Sequence, residues 1–174
     1  MKFSEYVEKN GRDNVVSAGE HIFYQGDKDR FIYIVQSGLL KAYYTSNDGK
    51  ENIKSFIMPG GQIGSLAANH AGEPSTFSLM TLSQSKLFAV NFAELYKASQ
   101  TDPELASEIV NFLLDLGIRK ELREFELLCL SAEDRYRRLL EQAPELWDLV
   151  TQHEIARYLA VTPVGLSRIK KRIG

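Results

Sequence analysis

The sequence predicts an α+β fold in three parts, namely a β-roll or jelly-roll-like domain, a long helix and a small helix-turn-helix domain. Three observations carry this prediction. Short β-type runs alternate with glycine turns from Ala18 to about Val90. A long apolar stripe of helical period follows Asp102-Pro103, and two short segments near the end each begin with a capping threonine.

Length and composition favour one sizeable core with a small satellite domain, because the chain has 174 residues and 44% of them are hydrophobic. The first residues lack the apolar segment of a signal peptide, and no run of eighteen apolar residues occurs. We therefore expect a soluble cytoplasmic protein with no membrane partner. A single cysteine, Cys129, excludes an internal disulfide and cannot by itself hold an iron–sulfur cluster or a structural zinc ion.

The β-type runs define the first domain, expected over residues 1–100. The stretch FIYIVQSGLLKAYYT reads as two strands around Ser37-Gly38, and NDGKENIKSF turns at Asp48-Gly49 into another, which is consistent with hairpins. The chain breaks at Pro59-Gly60-Gly61, and STFSLMTL and SKLFAV complete the set. Many short strands at close intervals indicate a β-roll, a jelly roll or a similar barrel.

A helix is predicted from about Pro103 to Leu130, within a connecting segment expected over residues 101–130. Two apolar stripes follow it in different registers on either side of Gly117: Leu105, Ile109, Phe112 and Leu116, then Ile118, Leu122, Phe125 and Cys129. The helix would be roughly 40 Å long. A stripe of this kind more often packs on its own domain, but a long helix with a heptad-like seam also suits self-association. We predict dimerisation through the first stripe.

The terminal segment, residues 131–174, reads as a helix-turn-helix domain. Ser131 is an N-cap for a leading helix, and Thr151 with Glu154 fits a capping box that starts the next one. Thr162 and Pro163 then stop that helix and start another, since threonine caps well and proline is tolerated at the first helical position. The turn between these two helices lacks the glycine often found there.

The last helix predicts the chemistry of its exposed face. Leu166, Ile169 and Ile173 share the buried side, so that Val164, Arg168 and Lys171 point outward. No carboxylate follows Glu154. A like-charged block is usually a solvated face, but the caps and the partner helix together favour insertion into the major groove of DNA. The residues expected to contact DNA are Thr162, Val164, Ser167, Arg168, Lys171 and Arg172.

Nearly the whole chain resembles the Crp/Fnr superfamily of transcription regulators. The resemblance rests on GEHIFYQGD, YIVQSGLLKAYY, DGKE and PGGQIGSL, on the terminal TQHEIARYLAVTPVGLSRIKKRI, and on a matching glycine spacing: Gly19, Gly26, Gly38, Gly49, Gly60 and Gly64. It implies an N-terminal double-stranded β-roll of the cyclic-nucleotide-binding type, a dimerisation helix and a C-terminal DNA-binding domain. The implied partners are double-stranded DNA, a second copy of the chain, RNA polymerase and a small-molecule effector that the sequence does not identify.

The sequence departs from the nucleotide-binding members at two positions. Those members use a glutamate and an arginine for the ribose and the cyclic phosphate, whereas Ser65 and Ser75 stand here, and Glu73 lies on the wrong side of Pro74. An effector other than cyclic AMP, or none, is therefore expected. The residues expected around the effector pocket are Ile63, Gly64, Ser65, Leu66, Ser75 and Thr76.

No cofactor or metal ion is expected. The cysteine group of iron–sulfur members is missing, and His21 and His70 are interpreted as ordinary surface or turn histidines. The sequence also stops at Gly174, where family members commonly continue into a β-hairpin wing, so the DNA-binding domain is expected to lack a full wing. Arg168 remains suited to guanine, and Val164 to a thymine methyl group.

Two alternatives stay open. The first is an effector-binding or protein-interaction module of the same fold that no longer binds DNA. The second is a cupin-type enzyme, which would need a cluster of metal ligands. Only His21, His70 and His153 exist, and the last belongs to the other domain. We therefore expect no enzyme activity.

Overall fold

The computed structural model describes residues 1–173 and contains, within them, two antiparallel four-stranded sheets followed by helices. The strand order is β1-β8-β3-β6 in one sheet and β2-β7-β4-β5 in the other. The two sheets form a roll rather than a closed barrel. The strands are β1 (Arg12–Val16), β2 (His21–Phe23), β3 (Phe31–Ser37), β4 (Leu40–Thr45), β5 (Glu51–Ile57), β6 (Gln62–Ile63), β7 (Ser78–Thr81) and β8 (Ser85–Asn91).

Helices flank the roll and form the rest of the chain. They are α1 (Phe3–Asn10), α2 (Phe92–Ser99), α3 (Pro103–Cys129), α4 (Ala132–Gln142), α5 (Leu146–Leu149), α6 (Gln152–Tyr158) and α7 (Pro163–Ile173), with a further single turn at Ala67–Ala71. No helix among residues 1–173 combines the length and the apolar character that crossing a membrane requires. The predicted α+β architecture is confirmed.

The roll is stabilised by side chains that both sheets direct inward. Leu40, Leu79 and Leu87 are fully buried, and Phe23 contacts Phe77 edge-on with ring centroids 5.3 Å apart. Burying a leucine or phenylalanine side chain contributes about 1.5–3 kcal/mol. The inward residues come from strands that are distant in sequence. This core therefore fixes the sheet pairing, and with it the position of the predicted pocket residues after β6.

One of the two predicted hairpins is present and the other is not. Strands β4 and β5 pair around the turn at Asp48-Gly49, as expected. Strands β3 and β4 instead belong to different sheets, and the chain crosses between them at Gly38. Gly38 has a φ of 93°, and a Cβ there would lie 2.6 Å from the carbonyl oxygen of Gln84. The glycine therefore permits a crossover between sheets, not a hairpin turn.

The long helix α3 is continuous across Gly117 and its 27 residues span about 40 Å. Its start is fixed by Asp102, whose carboxylate accepts a hydrogen bond from the Leu105 backbone N–H at 3.1 Å. Leu105 is fully buried against α1, α2 and the roll, and Ile109 packs at the edge of the same cluster. Leu105 therefore cannot contribute to an intermolecular seam as predicted, and Ile109 is partly covered by the same domain.

The remaining two predicted seam residues, Phe112 and Leu116, also face the roll, where they line its pocket. The exposed apolar side of α3 is a different stripe, which we call the outer seam: Leu114, Ile118, Phe125 and Leu128. Their spacings of four, seven and three residues fit a heptad seam. The predicted stripe faces the roll of its own chain, because an apolar stripe of helical period does not reveal which partner covers it.

The C-terminal helices pack against the roll as well as against each other. Leu139, Ile155, Leu159 and Leu166 are among the residues at the centre of this second core. Side chains of the roll complete it: Leu39, Phe56, Met58 and Leu82. The terminal helices are thus held on the side of the roll formed by β4 and β5.

Candidate DNA interface and effector pocket

Helices α6 and α7 form the predicted helix-turn-helix with the predicted caps. The Thr162 hydroxyl accepts a hydrogen bond from the Gly165 backbone N–H at 3.0 Å, and Pro163 occupies the first position of α7. The turn between the helices contains Ala160, which has a φ of 54° and lies in the left-handed region. Alanine thus occupies the conformation that glycine adopts at lower cost.

The predicted capping box at Thr151 is only half formed. The Thr151 hydroxyl accepts a hydrogen bond from the Glu154 backbone N–H at 3.3 Å. The Glu154 carboxylate does not return to the Thr151 backbone but binds the ammonium group of Lys41 on β4, at 2.9 Å. A charged partner from the roll therefore replaces the backbone N–H expected from the local sequence.

The outward face of α7 carries the six residues predicted to contact DNA, and all six are exposed. Leu166 and Ile169 bury the opposite side against α6. Val164 is 61% exposed at the start of the helix, so its side chain is accessible to an apolar group. The Thr162 hydroxyl oxygen accepts the capping bond, and its O–H remains free to donate to an external acceptor.

The cations of α7 differ in how free they are. Arg172 pairs with Glu133 of α4 at 2.7 Å, and Lys170 donates to the Gln152 side chain at 2.9 Å. Arg168 and Lys171 have no ion-pair partner within residues 1–173. They are therefore the cations of this face most available to an external anion.

An ion-pair cluster joins α6 to the roll. Lys41 is only 4% exposed and lies between Glu154 and Glu51, the latter at 3.5 Å. Glu51 also pairs with Arg157 of α6 at 2.8 Å. We call these four residues the docking cluster. In this cluster the buried ammonium group of Lys41 is paired with one carboxylate from the roll and one from α6. These ion pairs fix the orientation of the helix-turn-helix relative to the roll.

A cavity of about 110 Å³ lies between the roll, the turn at Ala67–Ala71 and α3. Five of the six predicted pocket residues line it: Ile63, Gly64, Ser65, Leu66 and Thr76. The sixth, Ser75, is buried outside the wall, and its hydroxyl donates to the Phe77 carbonyl oxygen at 2.8 Å. Five predicted residues thus share the wall of one cavity, whereas the Ser75 side chain serves the local turn.

Two lysines of the same cavity, Lys54 of β5 and Lys120 of α3, were not among the predicted pocket residues. The predicted pocket residues lie between Ile63 and Thr76, whereas Lys54 belongs to the preceding strand and Lys120 to the distant helix α3. Burial and the positive charges of Lys120 and Arg119 lower the pKa of Lys54 to about 8. No local pattern indicates Lys54, because β5 also contains the polar residues Glu51, Asn52 and Ser55.

A larger groove of about 920 Å³ opens beside the cavity and shares residues with it. It runs between β5 and α3 toward α6 and is lined by apolar side chains, including Phe56, Ile57 and Leu127. Lys54 and Lys120 lie on the boundary between the two spaces, because both line each of them. The cavity and the groove therefore share the two lysines that lie at their common edge.

Candidate metal sites are absent from the described residues, which hold no cluster of three or more histidine, cysteine, aspartate or glutamate side chains suited to a metal ion. His21 instead bonds the Tyr43 hydroxyl through Nε2 at 2.7 Å and stacks on Tyr24. His70 lies near the rings of Phe92 and Tyr96. Both histidines thus have ordinary aromatic environments.

Comparison with known proteins identifies the family. The profile of the cyclic nucleotide-binding domain matches residues 14–102, which is half of the chain and contains the whole roll apart from its first two residues. Among curated relatives, Electron transport regulator A of Shewanella oneidensis is 26% identical over 172 residues, covering 92% of this chain and 68% of the relative. The Cyclic AMP receptor protein of Thermus thermophilus is 29% identical over 157 residues, covering 87% and 71%.

The fold agrees with a solved regulator over nearly its full extent. The structure of FixK2 from Bradyrhizobium japonicum superposes with a TM-score of 0.81 at 18% identity, covering 94% of this chain and 84% of that one. This chain spans about two thirds of the length of the curated relatives that it matches. The profile match and the shared order of roll, long helix and terminal helices place the chain in the cyclic nucleotide-binding domain family, among the transcription regulators of Crp/Fnr type.

Proposed function

We propose that the protein is a sequence-specific regulator of transcription that reads double-stranded DNA with α7. The observation that carries this proposal is the exposed face of a capped helix-turn-helix, on which Arg168 and Lys171 have no ion-pair partner among residues 1–173. Arg168 is placed for a base edge, because it lies in the middle of the face. Lys171, one turn later, is placed for phosphate. The proposed location is the cytoplasm, where bacterial regulators meet their DNA.

The proposed active form is a homodimer. The outer seam of α3 is apolar and unpaired in a single chain, and a second copy would cover it by parallel helix packing. A dimer presents two copies of α7 to successive major grooves, which multiplies specificity over one short helix. RNA polymerase is the further partner that a regulator of transcription implies.

The proposed effector is not a cyclic nucleotide of the usual binding mode. Ser65 lies in the pocket wall and cannot replace a glutamate at the ribose, and Ser75 is turned away from the cavity. The alternative interpretation as a cupin-type enzyme has no support in the curated relatives, which are regulators.

A second candidate function is a module of the same fold that does not engage DNA. The docking cluster favours it, since α6 is held on the roll by a buried lysine and two carboxylates. In this alternative the basic face of α7 is a solvated surface.

Genome-wide DNA pull-down with the purified chain, followed by shift assays on the recovered sequence, tests these two candidates. We expect affinity for the recovered site to exceed that for random DNA by at least 10³-fold and to fall with salt. Arg168→Ala should weaken binding to the site, and Arg30→Ala, which removes an exposed arginine of the roll, should not. Absence of salt-dependent binding to any recovered sequence would favour the second candidate.

A further inference from the structure

The last turn of α6 carries carbonyl groups that the helix cannot satisfy by itself. Every helix leaves its final four carbonyl oxygens without an intrahelical partner. At the end of α6, the Val161 backbone N–H bonds the Ala156 carbonyl oxygen at 3.0 Å and so satisfies one of them. The carbonyl oxygens of Tyr158 and Leu159, directly before the left-handed residue Ala160, are left for other donors.

Two arginines from other helices supply these donors. Arg123 of α3 donates from Nη2 to the Tyr158 carbonyl oxygen, and its guanidinium lies 3.9 Å from the centre of the Tyr158 ring. Arg135 of α4 donates from Nε to the Leu159 carbonyl oxygen at 3.1 Å. Both cations therefore lie at the negative end of α6, where a positive charge is favourable. We call Arg123 and Arg135 the arginine clamp.

Arg135 connects three helices through one guanidinium group. Its Nη1 also donates to the Leu130 carbonyl oxygen, at 2.7 Å, and Leu130 is the residue that ends α3. The side chain is partly buried, so these bonds are partly shielded from water. A planar guanidinium with several fixed donors can hold the ends of α3 and α6 together in a geometry that a lysine ammonium does not reproduce.

Arg123 is itself held from both sides. Its side chain is only 17% exposed, and a carboxylate oxygen of Glu126 lies 3.7 Å from its Nη1. Tyr158, whose ring it covers, contacts Phe56 of the roll with ring centroids 5.5 Å apart. The end of α6 is therefore fixed between α3 and the roll.

The arginine clamp lies immediately before the turn that directs α7. Ala160 follows Leu159 in a conformation that persists only where its surroundings hold it, and Pro163 begins α7 shortly afterwards. A displacement of the Leu159 carbonyl is therefore passed along a short turn to α7. The base contact expected of Arg168 tolerates little displacement, because hydrogen bonds weaken steeply with distance and angle.

We propose that the arginine clamp consists of positioning residues for DNA recognition. Arg123 and Arg135 act through the backbone of α6 and set the direction in which α7 presents Arg168. The inference rests on the proposed function, since it explains how the recognition face is oriented. Loss of the clamp should reduce discrimination between DNA sequences more than general affinity, because base contacts carry the sequence information and phosphate contacts do not.

The first test compares the affinity for the recovered site with that for random DNA in Arg135→Met, at a temperature where thermal unfolding shows the variant to be folded. We expect the ratio of the two affinities to fall by about tenfold or more, and the affinity for random DNA to change by less than about threefold. Arg137→Met, at an exposed position of the same helix, removes an equal charge and should keep the wild-type ratio.

A second variant decides the matter if Arg135→Met does not fold. Arg123→Met removes one carbonyl bond and the contact with the Tyr158 ring, but leaves the connection between Arg135 and Leu130 in place. The same ratio should fall by about threefold or more in this variant. The inference is overturned if the folded variants keep the wild-type ratio, if affinity for both DNAs falls equally, or if Arg137→Met lowers the ratio as much.

A further readout does not depend on DNA. Trp147, the only tryptophan of the chain, lies between the Tyr136 ring of α4, at 5.1 Å, and the Lys170 ammonium group of α7, at 5.6 Å. Its fluorescence therefore reports on the position of α7 relative to α4. We expect Arg135→Met to increase the quenching of Trp147 by acrylamide and to speed amide exchange at Val161, whereas Arg137→Met should change neither.

These measurements separate the inference from the proposed function. Faster exchange at Val161 and stronger quenching of Trp147, in a chain whose wild type binds no DNA site, would reject the proposed function and retain the hold of the arginine clamp on α7. Sequence-specific binding by the wild type, with unchanged discrimination in the folded clamp variants, would reject the inference alone.

Discussion

Ala160 adopts a backbone conformation that is unfavourable for a residue with a Cβ atom. Its φ of 54° places a Cβ in the left-handed region, which costs roughly 1–2 kcal/mol for an alanine. We predict that Ala160→Gly raises the free energy of unfolding by about 0.5–1 kcal/mol, after the greater chain entropy of glycine is subtracted. Urea unfolding of both proteins measures the difference.

The control for Ala160 is an alanine in ordinary helical geometry. Ala93→Gly, at an exposed position of α2, should lower stability by about 0.5–1 kcal/mol. If both substitutions lower stability equally, the left-handed turn carries no strain.

Arg168 and Arg172 are two arginines of one helix with different surroundings. Arg168→Ala should cost about 1–3 kcal/mol per half-site and relax specificity at one base pair, because Arg168 is free to reach a base edge. Lys171→Ala should weaken binding to all sequences alike and reduce the salt slope by about one unit. Arg172 must first leave Glu133, so its replacement should cost less. Shift assays on specific and random DNA distinguish these roles, and equal loss on both for Arg168→Ala would make it a phosphate contact.

Lys54 links stability to pH. Its pKa is about 8 in the folded chain against 10.5 for an ordinary lysine, because burial disfavours the ammonium form and Lys120 and Arg119 of α3 repel it. Between pH 8 and 10.5 the unfolded chain therefore binds the extra proton, and stability rises with pH over this window. Tyr44 on β4 and Glu124 on α3 also line the space around this lysine.

The measurement is the difference in unfolding free energy between the wild type and Lys54→Met, from pH 7 to 11. Subtraction removes the titration of the other groups. We expect Lys54→Met to be the more stable protein at pH 7, and its advantage to shrink as the pH rises. A difference that does not change with pH would show that Lys54 is solvated in the folded chain.

At the scale of elements, α3 has two faces with separate tasks. Its inner face packs on the roll through Leu105 and Ile109, whereas its outer seam is open. We predict that Ile118→Glu dissociates the dimer, since a charge at the centre of the seam would be buried without a partner. Analytical ultracentrifugation measures the state, and Val15→Glu, at an exposed valine of β1, is the control. A monomeric wild type at micromolar concentration would reject the seam and the two-groove arrangement together.

The docking cluster makes a second element-scale prediction. Lys41→Met removes one partner and leaves Glu154 near the interface without its counter-charge, which should cost about 3 kcal/mol of stability. The double change Lys41→Met with Glu154→Met should recover most of this loss, because both charges are then gone. Urea unfolding of the four proteins forms a double-mutant cycle. Additive losses in this cycle would show that the two residues do not interact.

What could be predicted from the sequence follows the range of the interactions. The caps at Asp102, Ser131 and Thr162 were predictable, since each acts on a backbone N–H three residues away. The sheet assignment of β3 was not, because a turn signal does not say whether the following strand pairs with its neighbour. The partner of Glu154 lies 113 residues away in the sequence, and a capping motif contains no information about it.

The candidate site follows the same rule. The pocket loop could be located from its glycines, and five of its six residues are in the wall. Lys120 reaches that wall only because α3 folds back along the roll, so no local pattern indicates it. The contacts of the predicted α3 stripe with the roll were not predictable for a similar reason, since helical period gives the faces of a helix and tertiary packing decides which face is covered.

At the scale of the whole molecule, the roll and the terminal helices pack together and are not separate domains joined by a linker. The second core takes residues from both, and the docking cluster adds charged contacts across the same boundary.

The shared core also limits how interchangeable the parts of such regulators are. If the terminal helices were replaced by those of a relative, Leu39, Phe56, Met58 and Leu82 would meet a surface that was never shaped for them. A chimera joined at the end of α3 would therefore carry foreign terminal helices that do not pack on this roll. Transplanting DNA specificity onto this roll therefore requires the exposed face of α7 alone to be exchanged, with the buried side of every terminal helix left as it is.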